Sequence, residues 1–166
     1  MDYLPIEDAV LWFVKSCWQQ IITNWPEAKF LIVGMQPSQR IQQLAKLPGI
    51  TVTGYVSDIL PFYHQADIFI APFRLARGVQ NKILQAMACG LPVLTTSLGA
   101  EGIACSTGEH LLIANTEAEI IENISMLLTD EVLANKLSLA GPKLIQQKYS
   151  WEGALKELPE LLTGGV

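Results

Sequence analysis

The sequence predicts an α/β fold: a Rossmann-like, doubly wound parallel sheet with a helical C-terminal tail. Short apolar runs ending in Gly or Pro alternate with segments whose apolar residues repeat at helical spacing, the pattern of successive βα units. Beyond Ala114 only helical patterns remain. Hydrophobic residues make up 50% of the 166 and charged residues 16%. One domain over residues 1–166 therefore has enough apolar surface for a core, and disorder is disfavoured.

Pro5, Glu7 and Asp8 form a helix start with first-turn acids. Ile6, Ala9, Val10, Phe13, Val14, Cys17 and Ile21 continue it at helical spacing, up to a stop at Trp25-Pro26. Trp12, Trp18, Trp25 and Trp151 read as core or interface residues; Trp12 and Trp18 fall off that main apolar face, which leaves room for a partner over a second one. Lys29–Gly34 (KFLIVG) reads as a buried strand, Arg40–Lys46 as a helix and Ile50–Val56 (ITVTGYV) as a second strand. Ile59–Gln65 is a short helix, and Asp67–Ala71 (DIFIA) a third strand that Pro72 ends. Gln80–Cys89 is a helix stopped by Gly90, followed by strands at Pro92–Thr95 and His110–Ala114. Thr116 and Glu119 form a capping box. Asp130 opens a helix that Gly141-Pro142 should kink or end, and a last helix follows Ser150. A doubly wound domain normally opens on a strand, whereas this chain opens on a helix. The first strand of the sheet is therefore expected to be missing.

The net charge of −5 excludes a nucleic-acid-binding surface as the expected function. No apolar run has membrane-spanning length, and Asp2, Glu7 and Asp8 break any signal-peptide layout. Cys17, Cys89 and Cys105 have no metal-ligand spacing and read as reduced thiols, which points to the cytoplasm. His64 and His110 are isolated, Asp58 reads as a cap and Asp67 as a strand edge. There is no GxGxxG, no GxxxxGK[ST] and no GxSxG.

One stretch breaks the acidic pattern. No Asp or Glu falls between Asp67 and Glu101, and Arg74, Arg77 and Lys82 all lie in that gap. It follows the third strand's carboxyl end, the edge where open α/β sheets bind ligands. Gly78 lets backbone approach a ligand, Arg77 and Lys82 can neutralise phosphate oxygens, and the helix start adds amide donors. Asn81 and Gln85 sit four apart on one helix face and can bond hydroxyls. The same residues also read as solvated side chains on an ordinary connection, and composition does not separate the two.

The run GITVTGYVSDILPFYHQADIFIAPF followed by GVQNKILQAMACGLPVLTTSLGAEGI resembles the C-terminal, donor-binding domain of GT-B glycosyltransferases of the family 4 type (glycosyl transferases group 1). ARGVQNKILQAMA is similar to the bacterial sugar transferases of exopolysaccharide and exosortase systems, and MDYLPIEDAVLWFVKSCWQQI and YSWEGALKEL extend the likeness to both ends. The resemblance implies a nucleotide-sugar donor held between two Rossmann-like domains, with the acceptor domain and its catalytic residues upstream. It implies that Arg77, Gly78 and Lys82 meet the donor diphosphate. Asn81, Gln85, Gly99, Ala100 and Glu101 would meet ribose and sugar, and Tyr55 and Val56 the base. Two family acids eight residues apart fall on Arg77 and Gln85; Gln85 departs from the Glu that accepts ribose hydroxyls, though an amide keeps one acceptor.

The implied function is the donor half of an enzyme that moves a sugar from a nucleotide-sugar to an acceptor in bacterial polysaccharide synthesis. No cofactor or metal is expected, and the chain by itself is expected not to turn over. The longer enzyme is placed in the cytoplasm or at the inner face of the membrane. Partners are the donor, the missing N-terminal domain and, through the unpaired sheet, a second copy. The alternative is a non-catalytic α/β module that binds a nucleotide or a partner.

Overall fold

The computed structural model describes residues 4–149. The chain starts with α1 (Leu4–Phe13), a π-helical turn (Val14–Trp18) and α2 (Gln19–Asn24). Then come β1 (Phe30–Val33), α3 (Gln39–Gln43) with a 3-10 turn (Leu44–Lys46), β2 (Ile50–Gly54), α4 (Leu60–Gln65) and β3 (Phe69–Ala71). The rest is α5 (Asn81–Ala88), β4 (Val93–Thr95), β5 (Leu112–Ile113), α6 (Glu117–Thr129) and α7 (Glu131–Lys148). The helix expected after Ser150 lies outside the described residues.

Every strand pairing is parallel, as expected when helices fill the crossovers. The sheet, however, is in two pieces: β1 pairs with β2, and β4 lies between β3 and β5. The Phe30 amide donates to the Gly49 carbonyl on the β2 side at 2.7 Å, and the Phe69 amide to the Pro92 carbonyl on the β4 side at 2.9 Å. Because strand amides alternate between edges, Leu31 and Ile70 present theirs on the outer edges of β1 and β3. Among the described residues no strand lies on either edge. One apolar cluster nonetheless spans both pieces, joining Ile32 and Ile50 to Leu94 and Leu112 under the first helices and α6. A second cluster packs Ala71, Val93 and Leu111 against α5 and α7.

The π-helical turn corrects the reading of Trp18. In a regular helix, positions five apart diverge around the axis; the wider turn returns them to one side. Phe13 and Trp18 thus bring their rings within 6.4 Å, tilted at 47°, both buried, and the Trp18 indole donates to the Pro48 carbonyl at 2.9 Å. Trp18 is core. It needs no outside partner.

Of the two outcomes expected at Gly141-Pro142, an end does not occur: α7 runs through Pro142 to Lys148. A helix-interior proline costs about 3 kcal/mol. Leu137, Leu144 and Ile145 are all buried on this helix, and each such side chain returns roughly 1.5–3 kcal/mol. Gly141 permits the contact: a Cβ there would stand 2.8 Å from the Met87 carbonyl oxygen of α5. The caps appear as read. Thr116 Oγ1 accepts the Glu119 amide, and Glu119 accepts the amides of Thr116 and Asn115, which hold its carboxyl below the usual carboxylate range. Asp130 accepts the Leu133 amide at 3.0 Å, and Asp58 accepts the Leu60 amide at 2.9 Å.

Candidate functional site

The carboxyl ends of β3 and β4 are stapled together by two buried threonines. The Thr95 hydroxyl donates to the Ala71 carbonyl at 2.7 Å, and the Thr96 hydroxyl to the Phe73 carbonyl at 2.6 Å. Thr96 Oγ1 also accepts the Gly99 amide at 3.1 Å. Both hydroxyls are thus paired, as buried polar groups require. The loop after β4 is thereby held beside the one after β3. Gly102, with φ of 78°, sits close enough to Val79 that a Cβ would be 3.1 Å from its Cγ2.

The loop after β3 turns at once, with the Phe73 amide donating back to the Ala71 carbonyl across Pro72 at 2.9 Å. Gly78 adopts a φ of 67° with no atom within 4 Å of where a Cβ would stand, so backbone is open to approach there. The Gln80 side-chain amide then donates to the Arg77 and Gly78 carbonyls at 3.2 and 3.1 Å, closing the loop against the start of α5. Within α5 the amides of Ile83 and Leu84 donate to the Gln80 carbonyl, leaving those of Asn81 and Lys82 directed out of the helix end.

These pieces enclose a cleft of about 430 Å³ lined by Phe73, Arg77, Val79, Asn81 and Lys82, with Ile6 of α1 among its walls. That volume is in the ordinary range for small-molecule sites. Arg77, Asn81 and Lys82 are all exposed, so two cations and the outward amides of α5 converge on one space. A second cleft of about 260 Å³, including His64, Cys89, Pro92 and Asn135, lies by the amino ends of β3 and β4.

Several expected residues are placed elsewhere. Gln85 is 1% exposed within α5; its Oε1 is 3.5 Å from the donating Tyr63 hydroxyl, and its Nε2 is buried without a partner. It therefore does not share an open face with Asn81. Burial also pushes the Tyr63 hydroxyl pKa up. Gly99 and Ala100 are buried in the loop after β4, whereas Glu101 is exposed. Tyr55, 57% exposed, and the half-buried Val56 follow β2, in the other piece of the sheet. Arg74 does not join the cleft: its guanidinium donates to both carboxylate oxygens of Asp8, at 2.8 and 3.1 Å. Burial raises the Cys17 thiol to about 11, with the Glu117 charge adding to it. His110 Nδ1 accepts the Ser106 amide at 3.2 Å.

Sequence reasoning missed Thr95, Thr96, Gln80 and Ile6. The Thr pair carried a signal, because hydroxyls at the end of an apolar strand must find carbonyl partners once buried.

Open parallel α/β sheets bind ligands in the crevice outside the carboxyl ends of their strands, and the cationic cleft lies at that edge. Residues 3–130 match the family described as glycosyl transferases group 1, and the chain belongs to it. It is 25% identical over 156 residues to the capsular polysaccharide biosynthesis glycosyltransferase CapM of Staphylococcus aureus, covering 85% of this chain and 39% of that one. The chain thus spans about two fifths of the length of that relative. The fold matches the C-terminal domain of the group 1 glycosyl transferase LpcC from Francisella tularensis, with a TM-score of 0.67 and 21% identity over 82% of this chain and 81% of that one. It also matches Anabaena HepE, solved with UDP and glucose, with a TM-score of 0.67 and 16% identity over 92% of this chain and 46% of that one. These likenesses confirm the expected family and α/β class. Among the described residues no helix is long and apolar enough to cross a membrane.

Proposed function

We propose that this chain is the donor-binding half of a glycosyltransferase that moves a sugar from a nucleotide-sugar to an acceptor in bacterial polysaccharide synthesis. The convergence of Arg77, Lys82 and the free amides of α5 on one cleft carries the reading. A departing diphosphate gains negative charge as the sugar bond breaks, and cations fixed in advance stabilise that charge. Arg77, Gly78 and Lys82 take the diphosphate, without a metal or cofactor. Asn81 and the Gly99–Glu101 loop face the ribose and sugar. Catalytic contacts and the acceptor come from the rest of the longer protein, which works in the cytoplasm or at the inner membrane face. Calorimetric titration with UDP, GDP and their sugars is expected to show binding of at least one at millimolar concentration or tighter; binding of none overturns the reading.

Gln85 favours a second reading, a non-catalytic binding module, because it is buried away from the cleft. The two differ in turnover. The longer protein should release nucleoside diphosphate from a nucleotide-sugar on the first reading; binding with no release supports the second.

The outer edges of β1 and β3 support self-association as well, since unpaired strand edges recruit strands. Sedimentation of the chain should show a concentration-dependent larger species. A compact monomer at every concentration contradicts this.

A further inference from the structure

Arg74 is the cation of the acid-free stretch that the cleft does not use. It lies next to Phe73, whose side chain helps line the cleft and whose carbonyl is stapled by Thr96, and three positions before Arg77. Its Nη2 and Nε donate to Oδ1 and Oδ2 of Asp8 at 2.8 and 3.1 Å, a two-point fork that fixes the guanidinium plane. The guanidinium carbon also stands 5.7 Å from the centre of the Trp12 ring, one turn further along α1. Those bonds hold the Asp8 carboxyl below its ordinary range. The pair is half in solvent, with 50% of the Arg74 side chain and 28% of the Asp8 side chain exposed. Pairs of that exposure add little to global stability. What this one fixes is geometry.

The same turn of α1 makes two more contacts at the carboxyl edge. Ile6 helps line the cleft, and the Glu7 carboxylate lies 3.6 Å from the Arg40 guanidinium of α3. The turn therefore reaches α3, which follows β1, and the loop that follows β3, across the break between the two pieces of sheet. Between the Thr96 staple at Phe73 and the Gln80 bonds to Arg77 and Gly78, the loop carries exposed Leu75. In that interval Ala76 packs against the core, and the Arg74–Asp8 fork supplies the side-chain hydrogen bonds that tie the loop to α1.

We propose that Asp8 is a positioning residue: by gripping Arg74 against Trp12 it ties the β3–α5 loop to α1, places Arg77 at the cleft and keeps Arg74 out of it. The ligand used to test this rests on the donor-site reading above; the tie itself does not. The rival arrangement is that Arg74 is a third phosphate ligand that Asp8 merely restrains, and the two give opposite results for Asp8.

The test measures UDP or GDP affinity, whichever the full chain binds, for Asp8→Asn, Arg74→Ala, their combination and the charge-swapped pair Asp8→Arg with Arg74→Asp. Amide hydrogen exchange over residues 74–80 is followed in the same proteins without ligand. Asp8→Asn and Arg74→Ala should each weaken binding by roughly three- to tenfold and speed exchange in the loop. The combination should be no worse than either alone, and the swapped pair should recover part of the affinity. Tighter binding by Asp8→Asn with weaker binding by Arg74→Ala overturns the proposal in favour of Arg74 as a ligand. Unchanged affinity in Asp8→Asn overturns it too, whether or not exchange quickens. If the unaltered chain binds neither the diphosphates nor their sugars, the donor-site reading fails, and without a bound diphosphate exchange alone decides the tie: unaltered exchange in Asp8→Asn and Arg74→Ala refutes it, and faster exchange in both sustains it.

Discussion

Gly99→Ala should destabilise the domain by roughly 2–3 kcal/mol, lowering the melting temperature by about 4–10 °C. A methyl at Gly99 collides with Thr95 Oγ1 and stands 3.1 Å from the Phe73 ring and 3.4 Å from the Ala71 carbonyl oxygen. Thr95 cannot simply turn away, because its hydroxyl is spent on that carbonyl at 2.7 Å and its side chain is 1% exposed. Either the staple between β3 and β4 breaks or the loop after β4 lifts. Gly78→Ala is the control, since its Cβ meets nothing within 4 Å and only the left-handed φ of 67° opposes it. That change should cost about 1 kcal/mol. Adding Thr95→Ala to Gly99→Ala should cost less than the sum of the two, because one collision disappears. Calorimetric melting that finds Gly99→Ala no worse than Gly78→Ala would contradict the packing described for this loop.

Arg77→Ala and Lys82→Ala should each weaken nucleoside diphosphate binding about tenfold, the size of one charge-assisted contact in a partly solvated site. Both side chains are exposed, so their removal should leave the melting temperature within a degree or two. Loss of affinity should be smaller for the matching monophosphate, which presents one phosphate fewer to the pair. Titrations of the two ligands against both variants check this, and equal affinities across all proteins would remove Arg77 and Lys82 from the site.

Much of the fold could be read from the sequence, because each βα unit is written in local signals. KFLIVG, DIFIA and PVLT are short apolar runs bounded by Gly or Pro, and they became β1, β3 and β4. Thr116 and Glu119 announced a helix start that forms with both reciprocal bonds. The opening helix was legible too, and among the described residues the sheet stands in two pieces, the β1–β2 pair and the other three strands.

What could not be read depended on tertiary contacts. Trp18 is core, one of the two places the sequence allowed it, but it was set off the main apolar face because a π-helical turn rephases the helix without any signal in residue spacing. Gly141-Pro142 was read as a kink or an end because proline's local cost is visible in sequence; that the helix continues depends on the α5 surface, which is not. The cationic stretch identified the cleft but not its membership. Arg74 and Arg77 are alike as letters, and only the position of Asp8, far away in sequence, separates an anchored side chain from an open one. Gln85 shows the same limit: four residues from Asn81 implied one face, yet α5 buries everything from Ile83 to Met87.

The most direct measurement is an amide chemical-shift map of the chain titrated with UDP and GDP. The cleft at the carboxyl edge predicts that shifts concentrate on Gly78, Asn81 and Lys82, with a second set at Gly99–Glu101. No shifts with either ligand, or shifts centred instead on Cys89, Leu91 and Asn135 at the opposite edge, would contradict it.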